Sequence, residues 1–494
     1  MKKLLTTLIA ALLVFATLVG VLAVVANAYA SSDRTSSIPD HLNLTPNSLG
    51  TITAQGRGLY DEKGDRFEIK GINYGNLFIA EGWMTVNSMG AAYNDDGSFV
   101  RVNEEGIVEE YEEIYQDEMD TTLAERFTLE EIETLNDAFF DAYCTEADFK
   151  LIADTGLNTI RLPVYYRTFL TTSDRYSLTD EQLCAMDFDD IELVFDKVDL
   201  FMEYAKKYDL KVILDMHGVM GGQSGYEHCG TRECDFWYTE EYIEFMCNLW
   251  GAIAEHYVTE RDDLASTILA FDLANEPVNR VELSTARLQW DVMDRMYDAI
   301  REVDDCHVIS IEGVWYPISL PSPEEYGWEN VLYQYHFYNW NHDKGVPNEL
   351  FYSLMFALYM VSDYDVPKLI GEFNFFGNEA AWSKYLAKYD DLDWGWTIWS
   401  YKIVSVGWWD SSWGLVVNKL NIKNDPDTAM EDYELKLDLR TASYDEIMAV
   451  WSAEQTQYNG QDGAYKLYSD GMLYRVFKTY FGESFKIDTD EVSD

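Results

Sequence analysis

The chain has 494 residues, with 88 acidic against 36 basic side chains and a formal net charge of -52. Phosphate binding needs clustered Lys and Arg, so this balance excludes a nucleic-acid partner, and an anionic membrane surface would repel the chain. A solvated acidic surface and a neutral ligand fit the charge, and the 15% aromatic content suits either large cores or flat faces for sugar rings.

Met1-Lys2-Lys3 opens the chain, followed by an apolar run from Leu4 to Val25 and by Ala26-Asn27-Ala28-Tyr29-Ala30. This predicts residues 1–30 to be a Sec-type signal peptide, cleaved after Ala28 or Ala30, and the mature protein to be secreted. The run nearly spans a bilayer, so an uncleaved anchor at the cell surface stays open as the alternative. Residues 31–50 are rich in Ser, Asn, Thr and Pro and read as a linker. Residues 51–485 read as one domain and 486–494 as an acidic tail.

Eight short apolar, β-branched segments follow in order: Phe67–Tyr74, Leu157–Val164, Leu210–His217, Thr267–Glu276, His307–Trp315, Val331–Tyr338, Lys368–Asn374 and Trp396–Tyr401. Most lack strict polar alternation, as parallel strands do when both faces are covered. Helical patterns separate most of them, over Thr145–Thr155, Asp189–Tyr208, Glu240–Tyr257, Ser284–Val303, Asn348–Val361 and Glu379–Tyr389, with one or two more after Ala442. Strand and helix repeated eight times predict an α/β fold, a (β/α)8 TIM barrel. An open doubly wound sheet is the alternative, but no Gly-x-Gly-x-x-Gly follows the first strand. Two segments exceed a minimal barrel. An acidic insertion, Met84–Asp141, follows the first strand and reads as a solvated face. A Trp- and Asp-rich segment, Trp408–Arg440, begins an extended C-terminal region.

The 6 cysteines do not form a disulfide framework. A bridge between the close pair Cys229 and Cys234 is open in an exported chain. No Cys-x-x-Cys or His-x-x-x-His repeat suggests a zinc site.

Barrel chemistry gathers at the C-terminal ends of the strands. Those ends carry Arg161 on the second strand, His217 on the third, Asn275-Glu276-Pro277 on the fourth, His336 and Tyr338 on the sixth, Glu372 on the seventh and Trp399 on the eighth. Taken singly, such a glutamate caps a helix or pairs with an arginine, and a lone histidine is structural. Glu276 and Glu372, facing each other across one rim, instead suit glycoside hydrolysis. A gap of about 5–5.5 Å would mean retention through a covalent glycosyl-enzyme, and a wider gap inversion. Each carboxylate should raise the other's proton affinity, so that one stays protonated while the other, held by a cation, stays charged.

The ordered motifs NTIRLPVYYR, ILDMHG, FDLANEP, YHFYNW and GEFN resemble those of glycoside hydrolase family 5, in the clan of retaining (β/α)8 glycosidases, over roughly Gly56 to Tyr480. The resemblance implies Glu276 as acid/base, Glu372 as nucleophile and Asn275 as the amide for the 2-hydroxyl of the reacting sugar. It further implies Arg161 as the cation that keeps the nucleophile ionised, His217 and His336 as walls of the reacting subsite, Tyr338 as the tyrosine beside the nucleophile, and Trp399 as the aromatic platform. Asn374 stands where a glycine is common. The HGVMGGQSGYEHCG loop and GINYGNLFIAEGWM resemble the exo-β-1,3-glucanase branch, and Gln223 in that loop is expected to approach a sugar. The expected substrate is a β-linked glucan, with no cofactor and no metal. A β-mannanase, a glycosphingolipid glycosidase, a non-catalytic carbohydrate-binding protein and a metallohydrolase stand as alternatives.

Overall fold

The computed structural model describes residues 38–90, 114–278, 286–314, 320–338, 364–405, 411–420 and 436–493. Eight strands close into a barrel: β1 Lys70–Asn73, β2 Thr159–Tyr165, β3 Lys211–Gly218, β4 Ile268–Asp272, β5 Val308–Glu312, β6 Val331–Tyr338, β7 Lys368–Asn374 and β8 Gly395–Ile398. Every neighbouring pair is parallel, including the β8–β1 pair that closes the ring. The (β/α)8 barrel expected from the sequence is the fold observed.

The barrel interior has two storeys. At the N-terminal end, Ile213 of β3, Leu269 and Ala270 of β4, Val308 of β5, Leu332 of β6 and Leu369 of β7 form an apolar plug with Ile52, Leu59 and Ile69. An antiparallel sheet of Thr53–Gln55, Gly58–Tyr60 and Arg66–Phe67 contributes Leu59 to this plug. Phe67 therefore belongs to that sheet rather than to β1, which begins three residues later. Two residues further along β3, β5 and β6 the inward side chain turns polar, on the same face because strand side chains alternate. Asp215 follows Ile213, Ser310 and Glu312 follow Val308, and Gln334 and His336 follow Leu332; all are buried.

Helices cover the outside and pack their apolar stripes against outward residues such as Ile160, Leu214, Ile309 and Tyr333. The helix expected over Asp189–Tyr208 starts later, at Asp196, and ends at Lys207. The preceding residues are tied elsewhere: Phe188–Asp190 forms a 3-10 turn capped by Asp187, and the Val194 N–H donates to Phe169 O at 2.9 Å. The helix expected over Asn348–Val361 and the signal segment, residues 1–30, lie outside the described residues.

The insertion is more than a solvated face. Its described part holds α1 Gln116–Arg126 and α2 Leu129–Tyr143, and α2 buries Ile132, Leu135, Phe140 and Tyr143 in the main core. Thr128 and Glu131 form a capping box at the start of α2. Residues 91–113, which carry much of the acidic run, lie outside the described residues. The stretch read as a linker is partly docked, since Leu42 N donates to Gly64 O at 2.8 Å and Arg66 N donates to Asp40 O at 2.9 Å. The tail is docked too, with Ser493 N donating to Leu467 O at 2.9 Å. Cys229 and Cys234 are not joined in a disulfide, and their Sγ atoms face Thr231 O at 3.2 Å and Val278 O at 3.7 Å respectively.

One buried ion pair binds the C-terminal region to the helix layer. Lys402 and Asp148, both 0% exposed, are 3.1 Å apart. The ammonium lies 4.3 Å from the Tyr143 ring centre and 5.2 Å from that of Tyr465, while Tyr401 donates to Asp148 at 2.8 Å. Removing one partner strands the other charge away from water, at a cost of about 3–5 kcal/mol. Asp148→Ala is accordingly expected to lower the urea-unfolding free energy by about that amount; a change below about 1 kcal/mol, the range of exposed pairs, would contradict this assignment.

Candidate active site

The polar storey is organised around Arg161, whose side chain is fully buried at the centre of β2. Nε meets Asp272 of β4 at 3.0 Å. Nη2 meets Asp215 of β3 at 3.0 Å, Glu312 of β5 at 2.8 Å and the Asn275 side-chain oxygen at 2.9 Å. Nη1 donates to Glu372 of β7 at 2.8 Å and to Asn73 Oδ1 of β1 at 3.1 Å. Burial opposes the guanidinium charge, but the charges of Asp215, Asp272, Glu312 and Glu372 outweigh it and raise its pKa well above the ordinary value.

Glu372 is reached because the residue before it has no side chain. A Cβ on Gly371 would lie 2.3 Å from the Gln334 side-chain oxygen, so β7 approaches β6 closely only with glycine there. The Glu372 carboxylate accepts from Arg161 on Oε1 and from the Tyr338 hydroxyl on Oε2 at 2.7 Å.

Glu276 stands beyond its strand, not on it. The β4 ladder ends at Asp272, and Asn275 N donates to Met216 O of β3 at 3.0 Å. Pro277 follows a bend at Asn275 and Glu276 and lies past the end of the ladder. Glu276 itself adopts a left-handed backbone, with φ of 40°, a conformation that costs a non-glycine residue about 1–2 kcal/mol. Its carboxylate accepts from His336 Nδ1 at 2.8 Å. Oxygens of Glu276 and Glu372 and a His336 nitrogen all lie within 4.8 Å of one another.

Around this pair sit most of the residues expected from the sequence. His217 pairs through Nδ1 with Asp215 at 2.6 Å, and Asn275 Nδ2 lies 3.3 Å from its Nε2. Trp399 stacks on the His217 ring at 5.4 Å between centres and an angle of 14°. Gln223 departs from expectation. Its side chain is 0% exposed and fully engaged, donating to His217 O at 2.7 Å and Asn275 O at 2.9 Å and accepting from Val219 N at 3.2 Å. It fastens the end of β3 to the segment that follows β4.

The protonation pattern also differs from expectation. Burial alone would raise the Glu276 carboxyl, but the His336 hydrogen bond and the charges of His228, His336 and His217 hold it down at about 2. His336 is correspondingly raised well above the ordinary imidazole value: burial opposes its charge, while Glu372, Glu312 and Glu276 favour it. In the free protein the mobile proton therefore sits on the imidazole side of a 2.8 Å hydrogen bond to Glu276. Among the described residues three groups of donor atoms have the spacing to hold a cation; Asp304–Asp305–Cys306 precedes β5, and the two in this site are Glu276–His336–Glu372, the first, and Asp215–Asp272–Glu312, the second. Arg161 already supplies the positive charge to the second group and His336 to the first.

Sequence reasoning missed Asp215, Asp272, Glu312, Gln334 and Asn73. The signal was present as pairs of polar residues at alternate positions, 215 and 217, 310 and 312, and 334 and 336, inside strands otherwise apolar.

His217 yields a pH prediction. Burial lowers its proton affinity, but the Asp215 charge and hydrogen bond more than reverse this and raise it to about 10. A folded value above the ordinary imidazole value of about 6.5 gives a stabilisation that is complete below that pH and lost as pH rises through the folded value. The difference in thermal midpoint between the parent and His217→Asn should shrink steadily from pH 6.5 to 10; a constant difference over that window would contradict a charged His217.

Residues 118–405 match the model of the Cellulase (glycosyl hydrolase family 5) family. A beta-xylosidase of Phanerodontia chrysosporium is 29% identical over 221 residues, 44% of this chain and 42% of that protein. Glucan 1,3-beta-glucosidase 2 of Wickerhamomyces anomalus is 28% identical over 240 residues, 48% of each. The chain thus spans about half the length of these relatives. A rutinosidase structure from Aspergillus niger is similar at TM-score 0.49 and 16% identity, covering 68% of this chain and 90% of that one. With a family model matching more than half of its length, and the barrel to go with it, this chain belongs to glycoside hydrolase family 5.

Proposed function

We propose that the protein is a retaining β-glycosidase acting on β-glucan, with Glu372 as nucleophile and Glu276 as acid/base. The observation that carries this reading is that one oxygen of each carboxylate lies within 4.8 Å of the other's, with His336 Nδ1 2.8 Å from Glu276 and 3.5 Å from Glu372, a proximity that favours the short carboxyl spacing of about 5–5.5 Å used for retention. Their surroundings differ in the way the two roles require. Glu372 accepts from a fixed cation and a fixed hydroxyl, which orient a carboxylate for attack. Glu276 instead faces an imidazole that can exchange a proton with it.

In the first step a Glu372 oxygen forms a bond to the anomeric carbon, and the bond to the leaving oxygen breaks. That oxygen takes a proton from the Glu276–His336 pair. In the second step Glu276 removes a proton from water, the water oxygen bonds to the anomeric carbon, and Glu372 leaves as carboxylate. Asn275, held by Arg161, lies beside the pair to meet the 2-hydroxyl, and Trp399 backs the reacting ring.

A β-glucan substrate is supported by the relative named as a glucan 1,3-beta-glucosidase and by the acidic surface, which disfavours anionic polymers. The N-terminal pattern supports export, and among the described residues no helix is long and apolar enough to cross a membrane.

Azide separates the two roles. Glu372→Ala should lose turnover of aryl β-glucoside and β-1,3-glucan, and azide should occupy the vacated face to give the α-glycosyl azide. Glu276→Ala should lose about 10²–10⁴-fold on substrates with poor leaving groups and give the β-glycosyl azide. Reversed products, or equal rates for Glu372→Ala and the parent, would overturn the assignment.

A further inference from the structure

Glu312, the last residue of β5, carries no role in the reaction above, yet it touches both halves of the site. It is 0% exposed. Oε2 accepts the backbone N–H of Glu276 at 2.7 Å. Oε1 accepts from Arg161 Nη2 at 2.8 Å and from the Gln334 amide, and lies 3.5 Å from His336 Nε2. The first contact holds the one backbone donor of a residue in the left-handed region, and so fixes the direction in which the Glu276 side chain leaves the chain. The second bears on the arginine that holds Glu372. The third places a negative charge on the side of His336 opposite Glu276.

Resting on the reading of Glu276 and Glu372 as the reacting pair, we propose that Glu312 is a positioning residue that clamps the backbone of the acid/base and keeps its proton within reach on His336. A single rigid carboxylate then sets both the separation of the pair and the proton supply of one member. The charged groups around Glu312 come from every neighbouring strand: Arg161 from β2, Asp215 from β3, Asp272 from β4, His336 from β6 and, through Arg161 and His336, Glu372 from β7. Asp272 responds to it as well, since burial first and then the Glu312 charge push its carboxyl up to about 6. Removing the negative charge at Glu312 weakens proton binding at His336, Asp272 and Glu276 alike, so the site loses its proton at lower pH.

Two variants separate charge from reach. Glu312→Gln keeps the shape and removes the charge, whereas Glu312→Asp keeps the charge and withdraws it by one methylene. In Glu312→Gln the alkaline limb of kcat/KM should move to lower pH, with KM little changed. Turnover of a β-glucoside with an alkyl or sugar leaving group should fall about 10²-fold, the order expected for an ångström-scale misplacement. A dinitrophenyl glucoside, which needs no proton from the acid, should lose less than about 10-fold. Glu312→Asp should retain the parent's alkaline limb and still show the leaving-group penalty. An equal loss on both substrates, or an unmoved limb in Glu312→Gln, would overturn the proposal. Nitrogen-15 histidine spectra, with the His336 signal assigned from His336→Asn, decide independently of turnover: the His336 titration should fall in Glu312→Gln and stay in Glu312→Asp. If the parent shows no glycosidase activity, the functional reading fails, and an unchanged His336 titration would still overturn the coupling by itself.

Discussion

Arg161 is the constraint on which the upper barrel depends. Removing a guanidinium or a carboxylate from water costs several kcal/mol for each ion, recovered only where geometry and further hydrogen bonds are good. Here one guanidinium faces carboxylates from β3, β4, β5 and β7, with side-chain oxygens of Asn73 and Asn275 completing its donors. No member of this set can be withdrawn without stranding another. The network thereby fixes the relative positions of six barrel strands at the height where the reaction would take place, while the apolar plug below supplies stability without polar demands.

Charge counting shows why the histidines matter as much as the arginine. The buried set holds Asp215, Asp272, Glu312, Glu372 and Glu276 against Arg161, His217 and His336. Carboxylates outnumber cations even with both imidazoles protonated, and proton affinity rises wherever the surplus falls. Burial first and then the Glu312 charge raise Asp272, and the carboxylates around His336 raise it against its burial, whereas Glu276, facing His336, His228 and His217, is lowered. A site that must hand a proton to a leaving oxygen and later take one from water gains from holding it on a hydrogen-bonded pair. A small change of surroundings, such as a sugar displacing solvent, can then move the proton between partners.

The fold was legible because parallel strands buried on both faces read as short apolar runs, and all eight appear where the sequence placed them. Boundaries slipped where local hydrogen bonding competed, as at Asp187–Asp190 and at Phe67, which pairs in an antiparallel sheet. The two glutamates, the arginine and the histidines were legible because strand ends carry chemistry in this architecture. Glu312 was not, because a carboxylate closing an otherwise apolar strand looks like an ordinary strand end until its neighbours across the barrel are known. Gln223 shows the same limit: a glutamine in a glycine-rich loop resembles a ligand contact, while in the structure its amide donates to the backbone carbonyls of His217 and Asn275. Long-range partners, which no local pattern encodes, separate the two cases.

The account stands or falls on a covalent bond between a sugar and one named side chain. Incubation with a 2-deoxy-2-fluoro β-glucoside bearing a dinitrophenyl leaving group should slow the second step enough to trap the glycosyl-enzyme. Peptide mass spectrometry should then find the fluorosugar esterified to Glu372 in the parent, and no adduct in Glu372→Ala. An adduct on any other residue, or turnover of the parent with no trapped species while products form with inverted configuration, would contradict it.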